Sequence, residues 1–506
     1  MKNLSVFQVI LLAVFAAAAI SGVLIFALVI GIGAGNSIGP VVIWGTQDQT
    51  AFAVVLRQAT ENESRLSQVS YVQKDPATYE AELTEALASG TGPDIFILRQ
   101  DYAVRNAGKV VPVPYDFLSR SQFENVFVEA ARPYLAQSGV LGVPILVDPM
   151  VMYWNRDLLG SAGFSQPPRY WDEFADLAQK AVKRDDSGSI LKAAVAFGEY
   201  QNVDNAKDIV GLLILQAGGA ITRRDNTDRL VPSLSARAAG STSQAAESAL
   251  RFYAEFADPS KIHYSWNRSL PGSRAAFAAG DLALYFGYAS EARQIARTNP
   301  NLNFAPAPMP QTRAGTAMSA ARTYALAISR ASRNREGAMT VATLMADTGI
   351  ARALSIALGI PSARRDVLAE RASDENELFK REAIIARSWI DPDPEKTNGI
   401  FRAMIESVTS GAARYAEAIN PLNSNFSSIP AFIAGALKAL AMIALPIITL
   451  FLVISGFYFI TAQGNQQKLE TAKKNFFYVV IGALLILGAW IIATLIAGTV
   501  NQLTGK

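Results

Sequence analysis

The residues best suited to bind a small molecule follow the first β-rich run of the chain. Residues 41–44 form that run, and Trp44 at its end is followed by Gln47 and Asp48. An aromatic ring packs against the apolar face of a sugar, and amide and carboxylate groups bond to sugar hydroxyls. These three side chains are therefore candidates for binding a hydroxylated ligand, and the alternative is that Trp44 packs into a core.

The sequence contains no motif of a catalytic or metal site. It has no cysteine and one histidine, His263. This excludes disulfides, thiolate catalysis and a lipid-modified cysteine, and it leaves no histidine-rich metal cluster. A nucleophile elbow, a zinc-protease helix and a phosphate-binding loop are also absent. Several carboxylates are present, but nothing pairs them as glycosidase chemistry requires. We therefore expect a binding protein without cofactor or metal rather than an enzyme.

Length and composition bound the architecture. The chain has 506 residues and a formal net charge of +3. The length allows two or three domains, and the charge does not suggest the clustered basic face of a nucleic-acid-binding protein. Half of the residues are apolar, and the excess is concentrated at the two ends. The middle of the chain is therefore expected to be globular, with a sizeable core.

Three apolar segments are long enough to cross a membrane, which takes about 20 residues. They are residues 1–35, about 430–462 and about 476–500. The last two form a C-terminal hairpin within residues 429–506, joined by a lysine-rich loop at 463–475. The positive-inside rule places this loop in the cytoplasm and the large domain outside. The alternatives are a cleaved signal peptide at the N-terminus and a hairpin buried in a soluble fold.

The globular part, residues 40–428, alternates β-rich and helical stretches. Strands are predicted at 41–44, 69–72 and 94–98, and helices at 51–61 and 78–89. This βαβαβ order predicts an α/β fold with a parallel sheet flanked by helices. Open sheets of this kind bind ligands at the carboxyl ends of their strands.

Several stretches of the globular part occur in the order and spacing of a known family. They include Gly92-Pro-Asp-Ile-Phe, Leu141-Gly-Val-Pro-Ile-Leu-Val-Asp148, Val151-Met-Tyr-Trp-Asn-Arg-Asp-Leu158, Leu215-Gln-Ala-Gly-Gly219 and Ala275-Ala-Phe-Ala-Ala-Gly-Asp-Leu-Ala-Leu-Tyr-Phe-Gly287. Together they resemble the extracellular solute-binding proteins of ABC sugar transporters, the family that includes maltose-binding proteins. The resemblance implies a two-lobed periplasmic-binding-protein fold of type II, with lobes that crossing strands join. The chain departs from the family in lacking the lipid-anchor cysteine and in carrying C-terminal helices.

The resemblance also implies further site residues in the cleft between the lobes. Asp148 lies at the crossing strands and holds either the hinge or the ligand. Trp266 precedes the helix–strand unit that enters the cleft, and Tyr285 lies on that unit, where it can instead face the interior. Tyr200 and Arg322 are additional stacking or polar candidates. With Trp44 and Trp266 as platforms, a sugar ring is expected to stack between the lobes.

The C-terminal hairpin resembles a second family. Gly464-Asn465, Ala472-Lys-Lys474 and Tyr478-Val-Val-Ile-Gly482 are similar to the small pilin-type subunits of type IV secretion systems. Those subunits are two-helix membrane proteins with a short basic loop. The resemblance implies that the hairpin associates with other membrane helices, either its own copies or a permease.

The sequence thus predicts a cell-membrane protein whose large domain is extracytoplasmic and captures a sugar or similar polar solute for an ABC importer. The expected partners are this solute, the membrane, an ABC permease and other copies of the chain, and not nucleic acid. One alternative is a surface or secretion-apparatus component with a binding-protein-like domain. Another is a sensor whose closure signals through the membrane helices.

Overall fold

The computed structural model describes residues 38–227, 229–235, 244–371, 374–419 and 429–503. The predicted N-terminal membrane segment, residues 1–35, lies outside them. The strands are β1 (Val41–Gly45), β2 (Val69–Gln73), β3 (Ile95–Arg99), β4 (Leu135–Ala136), β5 (Gly139–Val140), β6 (Val143–Asn155), β7 (Lys183–Arg184), β8 (Ile190–Val195), β9 (Thr222–Arg224), β10 (Leu230–Pro232), β11 (Leu282–Tyr288), β12 (Phe304–Ala307), β13 (Ser319–Ile328) and β14 (Ala386–Arg387).

Helices of very different length connect these strands and end the chain. They are α1 (Gln49–Asn62), α2 (Tyr79–Ser89), α3 (Ala103–Asn106), α4 (Arg120–Val126), α5 (Arg156–Ser161), α6 (Phe174–Ala181), α7 (Ala206–Gln216), α8 (Ala245–Glu255), α9 (Ser273–Ala279), α10 (Ala292–Thr298), α11 (Arg335–Met345), α12 (Thr348–Leu358), α13 (Arg365–Leu368), α14 (Asp374–Ile385), α15 (Pro394–Thr409), α16 (Tyr415–Ala418), α17 (Ile429–Thr461) and α18 (Gln466–Leu503).

The first lobe is built on the βαβαβ unit that the sequence predicts. β1 pairs in parallel with β2 and β3, and α1 and α2 are the connections between them. The apolar sides of these helices and of α11 meet the sheet in one core, which includes the fully buried Phe52, Leu83, Phe96 and Val341. The predicted parallel α/β arrangement is confirmed here.

The second lobe has its own core around β6, β8 and β11. β11 pairs in parallel with β8 and antiparallel with β6. A cluster of aromatic rings, including Phe174, Phe197 and Phe286, fills this core, and Phe401 of α15 also belongs to it. Two separate cores make two lobes, in agreement with the predicted architecture.

Three chain segments connect the lobes. β6 is one continuous strand, which pairs with β13 over residues 143–149 in the first lobe and with β11 over residues 150–154 in the second. β13 runs back beside it. The third crossing, residues 386–393, begins at β14, which pairs with β13. Residues on these segments therefore lie between the lobes.

The C-terminal unit is a hairpin of two long helices, α17 and α18, which pack against one another. The predicted loop at residues 463–475 is much shorter, because α18 already begins at Gln466. Gln463 and Gly464 make the turn with φ of 42° and 84°. The side chain of Asn465 then accepts hydrogen bonds from the backbone N–H groups two and three residues later at 3.1 and 3.2 Å. The Lys, Glu, Gln and Ala residues that follow are good helix formers, so the basic segment continues the helix.

One helical stretch among the described residues is by itself long and apolar enough to cross a membrane, and it is Met442–Thr461 of α17. The pair α11 and α12, bent by 72°, passes the same test only as one unit. Both helices pack in the core of the first lobe. Of the three predicted spans, the described part of the chain thus supports one.

Candidate functional site

A polar cavity of about 240 Å³ lies between the two lobes. The side chains with charges or aromatic rings that line it are Arg99, Asp101, Tyr200, Lys207, Asp208, Tyr288, Arg322, Arg387, Trp389 and Asp391. They come from the carboxyl end of β3, the loop after β8, the first turn of α7, the end of β11, β13 and the third crossing. The cavity thus occupies the end of a parallel strand, where open α/β sheets bind ligands.

Every cation that lines the cavity is paired with a carboxylate. The pairs are Arg99–Asp101 at 2.6 Å, Lys207–Asp391 at 2.8 Å, Arg322–Asp208 at 3.0 Å and Arg387–Glu129 at 3.1 Å. The first pair is bidentate, since Nε and Nη2 of Arg99 each donate to one oxygen of Asp101. The cavity therefore offers strong donors and acceptors while its paired charges cancel.

Arg322 of β13 contacts three residues of the second lobe inside the cavity. Its Nη2 donates to Asn205 and Asp208 at 3.0 Å, and its guanidinium lies 3.8 Å from the centre of the Tyr288 ring. The Tyr288 hydroxyl donates to the same Asp208 carboxylate at 2.7 Å. Asn205 has a φ of 62°, a left-handed conformation that is uncommon outside glycine. This residue therefore holds a costly backbone geometry where α7 begins and where the arginine binds.

The pairing keeps these groups ionised. Burial by itself would raise the pKa of Asp101, but the neighbouring Arg99 more than offsets it and lowers that pKa below its ordinary value. Burial by itself would lower the pKa of Arg322, yet Tyr288 and Asp208 raise it well above the usual range. Burial raises the pKa of Asp391, and the Lys207 ammonium opposes this effect. Asp101 and Arg322 thus carry full charge at neutral pH.

Two half-buried aromatic rings, Trp389 and Tyr200, contribute to the apolar surface of the cavity. Trp389 is backed by Phe401, with ring centres 6.2 Å apart, and the Lys207 ammonium lies 5.5 Å from the Trp389 ring. The central carbon of the Arg402 guanidinium lies over the Tyr200 ring, 5.2 Å from the ring centre. Flat apolar faces beside fixed polar groups are what a sugar ring requires.

The structure brings two of the predicted site residues, Tyr200 and Arg322, into this cavity and leaves the group after β1 outside its lining. Trp44 is half-buried, and the ammonium of Lys74 lies 3.9 Å from its ring centre. Gln47 is buried at the end of β1. Asp48 is exposed and caps α1 by accepting a hydrogen bond from the Ala51 backbone at 2.8 Å, which is a structural role.

Three other predicted residues are buried in the protein instead of lining the cavity. Trp266 is 1 % exposed and donates its indole N–H to Asn202, so it packs the second core and offers no face to a sugar. Tyr285 is likewise buried and donates to Glu291 at 2.6 Å. Asp148 accepts two hydrogen bonds from Ser290, and burial raises its pKa to about 6. Of the two predicted roles for Asp148, its position on β6 between the lobes fits the hinge.

Sequence reasoning missed most of the cavity. The signal for Arg99 and Asp101 was available, because they follow the predicted strand of residues 94–98 as Gln47 and Asp48 follow the first predicted strand. Lys207 and Asp208 begin a helix, and their type alone does not distinguish them from surface charges. Nothing local marks the third crossing, which contributes Trp389 and Asp391.

Comparison with known families matches two parts of the chain. The family described as bacterial extracellular solute-binding protein matches residues 67–351, and the type IV secretion system pilin family matches residues 427–496. The second match begins just before α17 and covers the hairpin up to residue 496 of α18.

Individual relatives are distant and match in part. A Brucella abortus (strain 2308) protein described as a binding protein is 30 % identical over 100 residues, which are 19 % of this chain and 24 % of that protein. The maltotriose-binding protein of Pyrococcus abyssi is 25 % identical over 143 residues, 28 % of this chain and 30 % of that protein. This chain therefore spans less than a third of the length of either relative.

Solved structures share the fold over most of both chains. The cyclic alpha-maltosyl-1,6-maltose binding protein of Arthrobacter globiformis has a TM-score of 0.62 at 15 % identity, covering 76 % of this chain and 97 % of that one. A cyclo/maltodextrin-binding protein complexed with maltotetraose has a TM-score of 0.60 at 15 % identity, with 75 % and 94 % covered. These similarities confirm the two-lobed fold. Since the first family matches more than half of the sequence, this chain belongs to the bacterial extracellular solute-binding proteins.

Proposed function

We propose that this protein is a membrane-anchored, extracytoplasmic binding protein that captures a carbohydrate or similar polar solute between its lobes for an ABC importer. The observation that carries the proposal is the cavity, in which both lobes present paired charges beside the half-buried rings of Trp389 and Tyr200. Lobes joined by crossing strands can close over such a ligand by a hinge motion.

The charge pattern favours an uncharged, hydroxylated ligand. A hydroxyl group both donates and accepts, so it can bridge the carboxylate and the cation of one pair, for example Asp101 and Arg99. An isolated charge on the ligand would find the opposite charge in the cavity already paired, and burying it would be costly. Sugars carry many hydroxyls and no charge, so they match the paired charges that line the cavity better than acids or amines do.

The hairpin supports the anchoring part of the proposal. The side chains of Met442, Phe451, Val453 and Phe457 are exposed on α17, which a protein in water avoids but a bilayer favours. At the hairpin turn, Lys468 and Lys474 are also exposed. By the positive-inside rule this end faces the cytoplasm and the solute-binding lobes face outward.

The test is a ligand screen followed by calorimetry on the full chain in detergent. A sugar that binds the folded protein should raise its melting temperature. Trp389→Ala should then weaken binding of that sugar by about 1–3 kcal/mol, because an aromatic contact is lost. Trp44→Ala is the matched control, since Trp44 does not line the cavity. If Trp44→Ala abolishes binding and Trp389→Ala has no effect, the site lies at the end of β1 instead.

A second candidate function rests on the pilin match of residues 427–496. In this case the hairpin assembles with other copies as part of a surface or secretion apparatus, and the lobes are its exposed domain. Deleting residues 430–506 should then abolish an oligomer that the full chain forms in nanodiscs and should leave solute binding unchanged. A full chain that is monomeric in nanodiscs and in several detergents would contradict this candidate.

A further inference from the structure

An ion pair joins the two lobes at the rim of the cavity. Arg105 lies on α3 of the first lobe, and Glu395 lies in the first turn of α15 in the second lobe. The Nη1 atom of Arg105 is 2.6 Å from Glu395 Oε1 and 4.0 Å from Asp393 Oδ1. Asp393 is the last residue of the third crossing and Glu395 follows it, so the contact joins α3 of the first lobe to the place where this crossing enters the second lobe.

Position in the sequence places this bridge beside the cavity. Asp101 lines the cavity and precedes Arg105 by one helical turn. Asp391 and Asn398 line it on the other side, and they flank Glu395. A ligand that extended out of the cavity between α3 and α15 would have to pass through the place where the two charged groups meet.

The hinge side of the cavity is closed as well. There Arg322 stacks on Tyr288 and bonds to Asp208, and all three are fixed by contacts to one another. The space that remains is about 240 Å³. Pockets for drug-sized ligands occupy roughly 300–1,000 Å³. The space is therefore smaller than a pocket for a drug-sized ligand, which favours a ligand with one sugar ring over a trisaccharide with three.

We propose that the site selects a ligand of single-ring size and that the Arg105–Glu395 pair is its specificity-determining gate against longer saccharides. This inference rests on the proposed function, because it assumes that the cavity binds a hydroxylated solute. It adds the size of that solute and names the residues that limit it.

The gate is expected to be modest in strength. The side chains of Arg105 and Glu395 are 32 % and 64 % exposed, and exposed ion pairs are weak. Breaking this pair should therefore change the affinity for a longer saccharide by about two- to five-fold. The volume of the cavity accounts for the larger part of the discrimination.

The experiment is calorimetry on the full chain in detergent with glucose, galactose, mannose, xylose, maltose and maltotriose. We expect at least one monosaccharide to bind at least ten-fold more tightly than maltotriose. Arg105→Gln and Glu395→Gln should each reduce that ratio by about two- to five-fold, chiefly by tighter maltotriose binding. The control is Asp176→Asn, which breaks an exposed pair with Lys180 on α6 and should leave the ratio unchanged.

The outcomes separate the two proposals. Maltotriose binding that equals or exceeds that of every monosaccharide overturns the size limit and leaves the proposed function intact. A preference for monosaccharides that neither gate variant reduces overturns the role of Arg105 and Glu395. If no saccharide of the panel binds, the size limit and the assignment of a sugar ligand both fail.

Discussion

The two-lobed body and the C-terminal hairpin place their side chains in opposite ways. In the body, large apolar residues fill two cores, and charged pairs such as Lys207–Asp391 are buried at the cavity. In the described part of the hairpin, large apolar residues such as Val453 and Phe457 are exposed, while the small Ser455 and Ala462 are buried. The body therefore has the side-chain arrangement of a protein in water, and the described part of the hairpin has the inverse arrangement.

The body can bury charged side chains in the lining of its cavity because each of them has a partner. A buried charge is tolerated when a partner and hydrogen bonds satisfy it, as Thr397 and Lys207 do for Asp391. In the basic segment that follows the hairpin turn, the side chains of Lys474 and Glu470 are 68 % and 72 % exposed. The comparison can be tested by moving or removing charge in each region.

The largest effect is expected from Asp391→Ala in the body. The side chains of Lys207 and Asp391 are 10 % and 1 % exposed, so the substitution leaves a buried ammonium without its partner. Such losses cost about 3–5 kcal/mol in the free energy of unfolding. Denaturant titration followed by tryptophan fluorescence measures it. Asp176→Ala, which removes an exposed partner of Lys180, should cost less than about 1 kcal/mol. Equal losses in the two variants would contradict the assigned burial.

The next effect is expected from Val453→Lys in the hairpin. Val453 is 66 % exposed near the middle of the candidate span, where a bilayer would surround it. A lysine there should oppose membrane insertion by about 3 kcal/mol. Glycosylation mapping in microsomes measures the inserted fraction. Leu191→Lys is the control, because Leu191 is 57 % exposed in the body and its replacement should change the unfolding free energy by at most about 0.5 kcal/mol. Unchanged insertion of Val453→Lys would show that α17 does not cross the membrane.

A smaller effect is expected from Asp148→Asn, and it depends on pH. Burial raises the pKa of Asp148 from 3.8 to about 6, so the folded protein binds this proton more tightly than the unfolded chain does. Its contribution to stability is complete below pH 4 and is lost as the pH rises through 6. Asparagine does not titrate, so the variant does not lose stability in this way as the pH rises. The unfolding free energy of the variant relative to the parent should thus rise by about 2–3 kcal/mol between pH 4 and pH 7. A difference that stays constant over this range would contradict the raised pKa of Asp148.

Local patterns were sufficient for much of the fold. The alternation of short strands and helices over residues 41–98 predicted the parallel unit of the first lobe. Each strand and helix could be predicted because its period of apolar residues depends only on residues close together in the sequence. The boundary of α18 was missed, since a polar stretch between two apolar runs looks like a loop. The turn residues Gln463 and Gly464 and the cap at Asn465 are what end α17 and start α18.

The candidate site was less accessible to sequence reasoning. Trp266 and Tyr285 have the right chemistry for a sugar, but side-chain type does not tell whether a residue faces a core or a cleft. The converse holds for Trp389, which lies almost 300 residues after β3 and reaches the cavity only because the third crossing returns between the lobes.

The sequence by itself determined the family of the protein, since its order of motifs follows from residue type and spacing. Only the tertiary structure decided which residues form the cavity. Arg99, Lys207, Arg322 and Asp391 come from four distant segments, and their charges are stable there only as pairs. Pairing between residues so distant in the sequence depends on how the lobes and the crossings pack. The local pattern of residues does not indicate that packing.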